Sequence, residues 1–164
     1  MPRRLLRDRQ IVDDDWRYAA EAAELPPSDT PAVILSFDQW RAERDSWIRR
    51  GVRLGVVLLP AHQVESLTAD LPQLSLIAAH FLGPSEGRGY TQARLLRERY
   101  GFTQELRATG YVRTDQLFFM ARCGFNSFEM AEGDLAPGLK SFSTYSSAYQ
   151  ASNDSGLPLK LQLP

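Results

Sequence analysis

The sequence predicts an α/β fold of about five mainly parallel strands with connecting helices, half-barrel-like or an open sheet, entered through a short N-terminal hairpin. Compact apolar runs at 32–37, 52–59 and 74–81 alternate with helix-like stretches, the pattern of buried parallel strands joined by crossovers. A weak internal repeat aligns Arg99-Tyr100-Gly101-Phe102 with Arg122-Cys123-Gly124-Phe125, each a helix end, a glycine stop and the entry to a strand. Residues 105–112 place Glu105, Arg107, Thr109 and Tyr111 on one face and Leu106, Ala108, Gly110 and Val112 on the other. Ser127 and Glu129 oppose Phe128 and Met130 in the next strand, so Arg107 and Glu129 are expected to face each other. A closed eight-stranded barrel takes ~250 residues, and this chain has 164. A barrel segment with a polar inner face is the favoured arrangement, a doubly wound sheet the alternative.

The elements follow in order. Residues 5–16 form a hairpin, with Arg7-Asp8-Arg9-Gln10 as its turn and Ile11 and Val12 returning. Residues 24–31 are a linker, because Pro26 and Pro27 cannot continue a helix. A strand at 32–37 leads to a helix from Asp38, as its cap, to Arg50, stopped by Gly51. A strand at 52–59, a short helix at 61–70 and a strand at 74–81 come next. Thr91 caps a helix to Tyr100, followed by the strand 105–112, a helix 114–123, a strand 127–130 and a last helix starting near Asp134. The tail, 141–164, is expected to be a loosely packed wrap, and the whole chain, 1–164, one domain.

Composition is that of an ordinary globular protein, 43% hydrophobic and 24% charged. A net charge of -1 gives no global attraction to nucleic acid or to an anionic membrane, so attraction for anions must be local. The one cysteine, Cys123, permits no internal disulfide and no multi-cysteine metal site; with no long apolar run, a cytoplasmic location is expected. No metal site and no cofactor are evident, since no dinucleotide loop, haem motif or iron–sulfur cysteine set is present.

The chemistry concentrates on the rim formed by the carboxyl ends of parallel strands, where α/β proteins bind ligands. The loop Gly83-Pro84-Ser85-Glu86-Gly87-Arg88-Gly89-Tyr90 opens an arginine-rich helix, and glycines at a helix start let an anion meet free N–H groups. Gly87, Arg88, Gly89, Tyr90, Arg94 and Arg113 are therefore candidate anion-binding residues. The plainer reading pairs Arg94 with Glu98 and leaves Arg97 and Arg99 on a solvated face. Glu86, Asp115 and His62 are the catalytic candidates; His80, inside an apolar strand, reads as a satisfied core histidine. Cys123 reads as a packed thiol. The face carrying Glu105, Arg107, Thr109 and Glu129 is expected to serve self-association or docking.

Glu86-Gly87-Arg88-Gly89-Tyr90-Thr91-Gln92-Ala93-Arg94-Leu95-Leu96-Arg97, with Glu105-Leu106-Arg107-Ala108, Asp115-Gln116-Leu117 and Arg122-Cys123-Gly124-Phe125, resembles a bacterial domain-of-unknown-function family. That family is often encoded beside assimilatory sulfite reductase and carries the label of an oxidoreductase involved in sulfite reduction. The resemblance covers most of the chain and is densest over 76–128. It implies a place in cysteine biosynthesis, as an accessory or partner of sulfite reductase or of another sulfur-assimilation protein. The alternative is a small enzyme acting on a sulfur oxyanion or phosphate ester. The chain departs from the family pattern at Glu86, Tyr111 and Asn126, each standing where an aspartate is expected.

Overall fold

The computed structural model describes residues 3–22 and 32–144. The expected linker and most of the expected tail lie outside them. The N-terminal hairpin is present: β1 (Arg4–Arg7) and β2 (Gln10–Asp13) pair antiparallel around Asp8 and Arg9, whose φ values of 51° and 61° make a type I′ turn. A two-residue strand that the sequence did not announce, β3 (Arg17–Tyr18), leads into the short helix α1 (Ala19–Ala22). β4 (Ala32–Ser36), β5 (Arg53–Leu58), β6 (Leu76–Phe81), β7 (Glu105–Gly110) and β8 (Ser127–Phe128) then follow, each parallel to its neighbour. The sheet order is β2-β1-β8-β7-β6-β5-β4-β3, so the hairpin adds antiparallel strands at one edge and β3 extends the parallel run at the other.

This sheet is curled. Laid flat, eight strands at ~4.8 Å spacing would hold the outer two about 34 Å apart. Yet β2 and β3, at opposite edges, are joined by Asp14, Asp15 and Trp16 alone, a link that reaches at most about 15 Å. The edges must therefore approach one another, and the Tyr18 hydroxyl, on β3, donates to Glu129, just past β8, at 2.7 Å. The expected α/β fold is thus realised as a half-barrel-like mixed sheet.

Helices cover the convex face. α2 (Phe37–Arg49) is capped by Ser36 rather than Asp38: the Ser36 hydroxyl accepts from Gln39 N–H and the Gln39 side chain accepts from Ser36 N–H. Gly51, at φ 72°, ends it as expected. The connection from β5 to β6 is a 3-10 helix, Val64–Gln73, with Pro72 in its last turn and the Thr68 hydroxyl donating to the Glu65 carbonyl. α3 (Arg88–Arg94) starts three residues before Thr91 and widens into a π turn over Leu95–Arg99. α4 (Leu117–Cys123) and α5 (Leu135–Thr144) each follow a 3-10 turn. Val33, Leu35, Val56, Ile77, Ala79, Leu106 and Phe128 point into this helical layer and form the main core with Trp40, Leu67, Leu96 and Met120. Buried Cys123 belongs to it, and burial pushes its thiol pKa up.

The opposite parity lines the concave face. Trp16 packs there on Ala32, Ile34, Leu76 and Ala78, with Tyr18 and Val57 at the margin. Beside this small apolar cluster stands the polar face predicted from residues 105–129, and Arg107 reaches Glu129 at 3.8 Å. Over Arg107 that face is not an open docking surface, because Asp14 of the chain itself lies against it and Arg107 is 0% exposed. Arg107 donates to both Asp14 carboxylate oxygens, at 3.1 and 3.0 Å, and to Glu105 at 2.9 Å. Burial opposes its charge, but Glu105 and Asp14 outweigh that and raise its pKa. Arg3 donates to Asp14 and pairs with Glu129, and Arg7 joins Glu105 to Asp15.

Asp15 sets an acid limit on this closure. Burial alone would raise its pKa, but hydrogen bonds from Arg53 and Arg7 overcome that and bring it down to about 2. With an unfolded carboxyl near ~3.9, the stabilisation is complete above about pH 4 and disappears as pH falls towards 2. Denaturant unfolding of the parent and Asp15→Asn should show a stability gap that is constant from pH 7 to 5 and closes between pH 4 and 2. A gap independent of pH would show that the arginines do not hold the Asp15 charge.

Candidate functional site

On β6 the concave parity runs Leu76, Ala78, His80, and His80 pairs in register with Thr109 of β7. The histidine is half-buried and Nδ1 lies 3.1 Å from the Thr109 hydroxyl. A hydroxyl can donate or accept, so this contact fixes the ring without fixing which nitrogen carries the proton. Gly110 follows at φ 80°, and a Cβ there would stand 2.3 Å from the Phe81 carbonyl oxygen and 2.8 Å from His80 Cε1. Glycine is needed for the His80 ring to stand where it does.

His80 and Thr109 line a cleft of about 660 Å³ at the carboxyl ends of the strands, with Tyr18, Arg113, Glu129 and Asp134 among its other polar residues. Burial, then the Glu129 charge and hydrogen bond, raise the Tyr18 pKa, so its hydroxyl keeps its proton. Glu129 is balanced by Tyr18, Arg3 and Arg107. Arg113 is exposed and forms no ion pair among the described residues; its guanidinium sits 6.0 Å from the Tyr111 ring centre. A second depression, about 470 Å³, lies at the amino ends of the strands, where Phe102, Phe125, Phe128 and Phe142 meet Arg97. Arg97 is not on a solvated face as expected: it donates to the carbonyls of Gly124, Phe102 and Gln104 at 2.7–3.0 Å, so that cation is already committed.

The residues expected to bind an anion do not share the cleft. Of them, Arg113 alone lines the cleft. The Arg88 N–H at the start of α3 donates to the Glu86 carboxylate at 3.0 Å, so a group of the chain itself sits where an anion would be received. The Arg88 side chain is 68% exposed and 3.9 Å from Glu86. Gly89 serves packing: a Cβ there would lie 2.5 Å from the Phe81 ring. Tyr90 is wedged between Phe81 and Phe119, at centroid distances of 5.1 and 5.0 Å, and burial raises its pKa. Arg94 pairs with Glu98, as the plainer reading had it.

Among the catalytic candidates, His62 stacks on Phe37 at 4.2 Å and its Nδ1 accepts the Leu59 N–H, which makes it a turn-stabilising residue. Asp115 is exposed in the 3-10 turn Thr114–Gln116, outside the cleft lining. Asn126 also has a structural account. Its side-chain oxygen accepts from Leu106 N–H and its amide donates to Asp8, which an aspartate could not do. The sequence reading missed Tyr18, Arg3 and His80. For His80 the signal was available, since carrying the alternation of β7 across to β6 places it on the polar face.

The chain belongs to the family described as Bacterial protein of unknown function (DUF934), which matches residues 55–160. No curated protein matches it. The matched stretch contains His80, Thr109, Arg113 and Glu129 of the cleft and leaves out Arg3 and Tyr18, which the N-terminal residues bring to it. Among the described residues no helix is long and apolar enough to cross a membrane, and no cluster of His, Cys, Asp and Glu is arranged to hold a metal.

Proposed function

We propose that this chain is a cytoplasmic accessory protein of sulfite reduction that docks on the reductase, or on another protein of sulfur assimilation, through the rim at the carboxyl ends of its strands. The link to sulfur chemistry rests on the family resemblance. The docking face rests on one observation: Leu59 at 43%, Leu82 at 67% and Phe119 at 52% are the exposed large hydrophobic residues among those described, and all belong to this rim. Leu59 and Leu82 directly follow β5 and β6, and Phe119 meets Tyr90 beside the end of β6. Exposed apolar side chains gathered on one rim, with charged Arg88 and Arg113 nearby, have the character of an interface centre with a polar margin.

Purified chain immobilised against purified sulfite reductase should bind it, and Leu82→Asp with Phe119→Asp should weaken that binding at least tenfold while leaving the melting temperature within a few degrees. Parent protein that fails to bind the reductase, or a double variant that binds equally well, removes the reading. The same preparation is expected to show no visible absorbance band and no sulfite turnover with a reduced nicotinamide unless the reductase is added. A bound flavin, or turnover by the chain alone, would make it an oxidoreductase instead.

A further inference from the structure

We propose that the cleft between His80 and Arg113 is a binding site for a small oxyanion, a sulfur oxyanion or a phosphate group, distinct from the glycine loop at 86–90. Three features make it a built site. Arg113 brings a forked, permanently charged donor to the cleft and, among the described residues, has no carboxylate to satisfy it. His80 is held by Thr109 at Nδ1 and packed against Gly110; with the Thr109 hydroxyl donating to Nδ1, the other ring nitrogen carries the proton that an anion accepts. Glu129 next to them is not a bare carboxylate: the Tyr18 hydroxyl donates to it, and Arg3 and Arg107, which also hold Asp14, stand 3.5 and 3.8 Å away, so its repulsion of an anion is reduced.

Asp134 is the exception, a cleft carboxylate with no ion pair to a cation among the described residues. Its charge opposes an anion in the cleft. An oxyanion held by Arg113 and His80 is bound less tightly because of Asp134, and removing that charge strengthens the binding.

The site stands independently of docking on a reductase, and the experiment needs no partner. Sulfite, sulfate and inorganic phosphate are titrated separately into the full chain by calorimetry, with the His80 Cε1–H resonance followed by NMR. At least one anion should saturate and move that resonance, and comparing the three separates sulfur oxyanions from phosphate. Arg113→Ala, a surface change that leaves folding intact, should weaken binding at least tenfold. Asp134→Asn should tighten it severalfold, and Arg88→Ala should leave it unchanged. No saturable binding of any of the three, binding unaffected by Arg113→Ala, or binding lost with Arg88→Ala would overturn the assignment; the last would return the anion to the glycine loop.

Discussion

Arg107→Met should destabilise the protein by about 3–5 kcal/mol, the cost of removing one member of a buried ion pair and leaving its partners without it. Arg107 and Asp14 both have fully buried side chains, at 0% exposure, and among the described residues Asp14 keeps only Arg3 as a cation once Arg107 is gone. Glu105 falls back on Arg7, which reaches it at 3.4 Å rather than 2.9 Å. Urea unfolding is the measurement. With a slope of roughly 1–3 kcal/mol per molar, the midpoint should drop by more than about 1 M. Adding Asp14→Asn should cost less than it does in the parent, because the two residues share one interaction and their effects are not additive. A loss below about 1 kcal/mol, or full additivity, would mean that the ionic cluster does not fasten residues 14–18 across the sheet.

That cluster also marks where the sequence stops being informative. Strands β4 to β8 were legible because their apolar runs and the alternation of Glu105, Arg107 and Thr109 are local signals that tertiary context did not override. The closure was not legible. Asp14 and Arg107 are 93 positions apart, and nothing in either neighbourhood says that Asp14, Asp15 and Trp16 cross from one sheet edge to the other. The polar face was therefore read as open throughout, whereas Asp14 closes it over Arg107.

The candidate site shows the same division. Gly87, Arg88 and Gly89 looked like an anion loop by residue type, yet Glu86 caps the Arg88 N–H and Gly89 is small to admit Phe81. Both reasons lie in three-dimensional contacts. His80 looked like core because its strand neighbours are apolar, whereas its parity puts it in register with Thr109, on the concave side.

The position that ties the fold to the cleft most tightly is Gly110, and Gly110→Ala should cost about 2–5 kcal/mol. Its φ of 80° is left-handed, which for a residue with a Cβ costs roughly 1–2 kcal/mol. The added carbon would also stand 2.3 Å from the Phe81 carbonyl oxygen, and that carbonyl accepts the Tyr111 N–H at 2.7 Å, so it cannot move without giving up a hydrogen bond. Overpacking of this kind adds about 1–3 kcal/mol. Gly101 separates the two contributions: it has φ 64° and nothing within 4 Å of the place a Cβ would take, so Gly101→Ala should carry only the backbone cost. The His80 ring, 2.8 Å from the new carbon, must shift, and its Cε1–H resonance should move in Gly110→Ala but not in Gly101→Ala. Anion binding should weaken with the first substitution and survive the second. Equal stability losses at the two glycines, with an unmoved His80 resonance, would show that Gly110 is there for its backbone conformation alone and that the histidine does not depend on it for its place in the cleft.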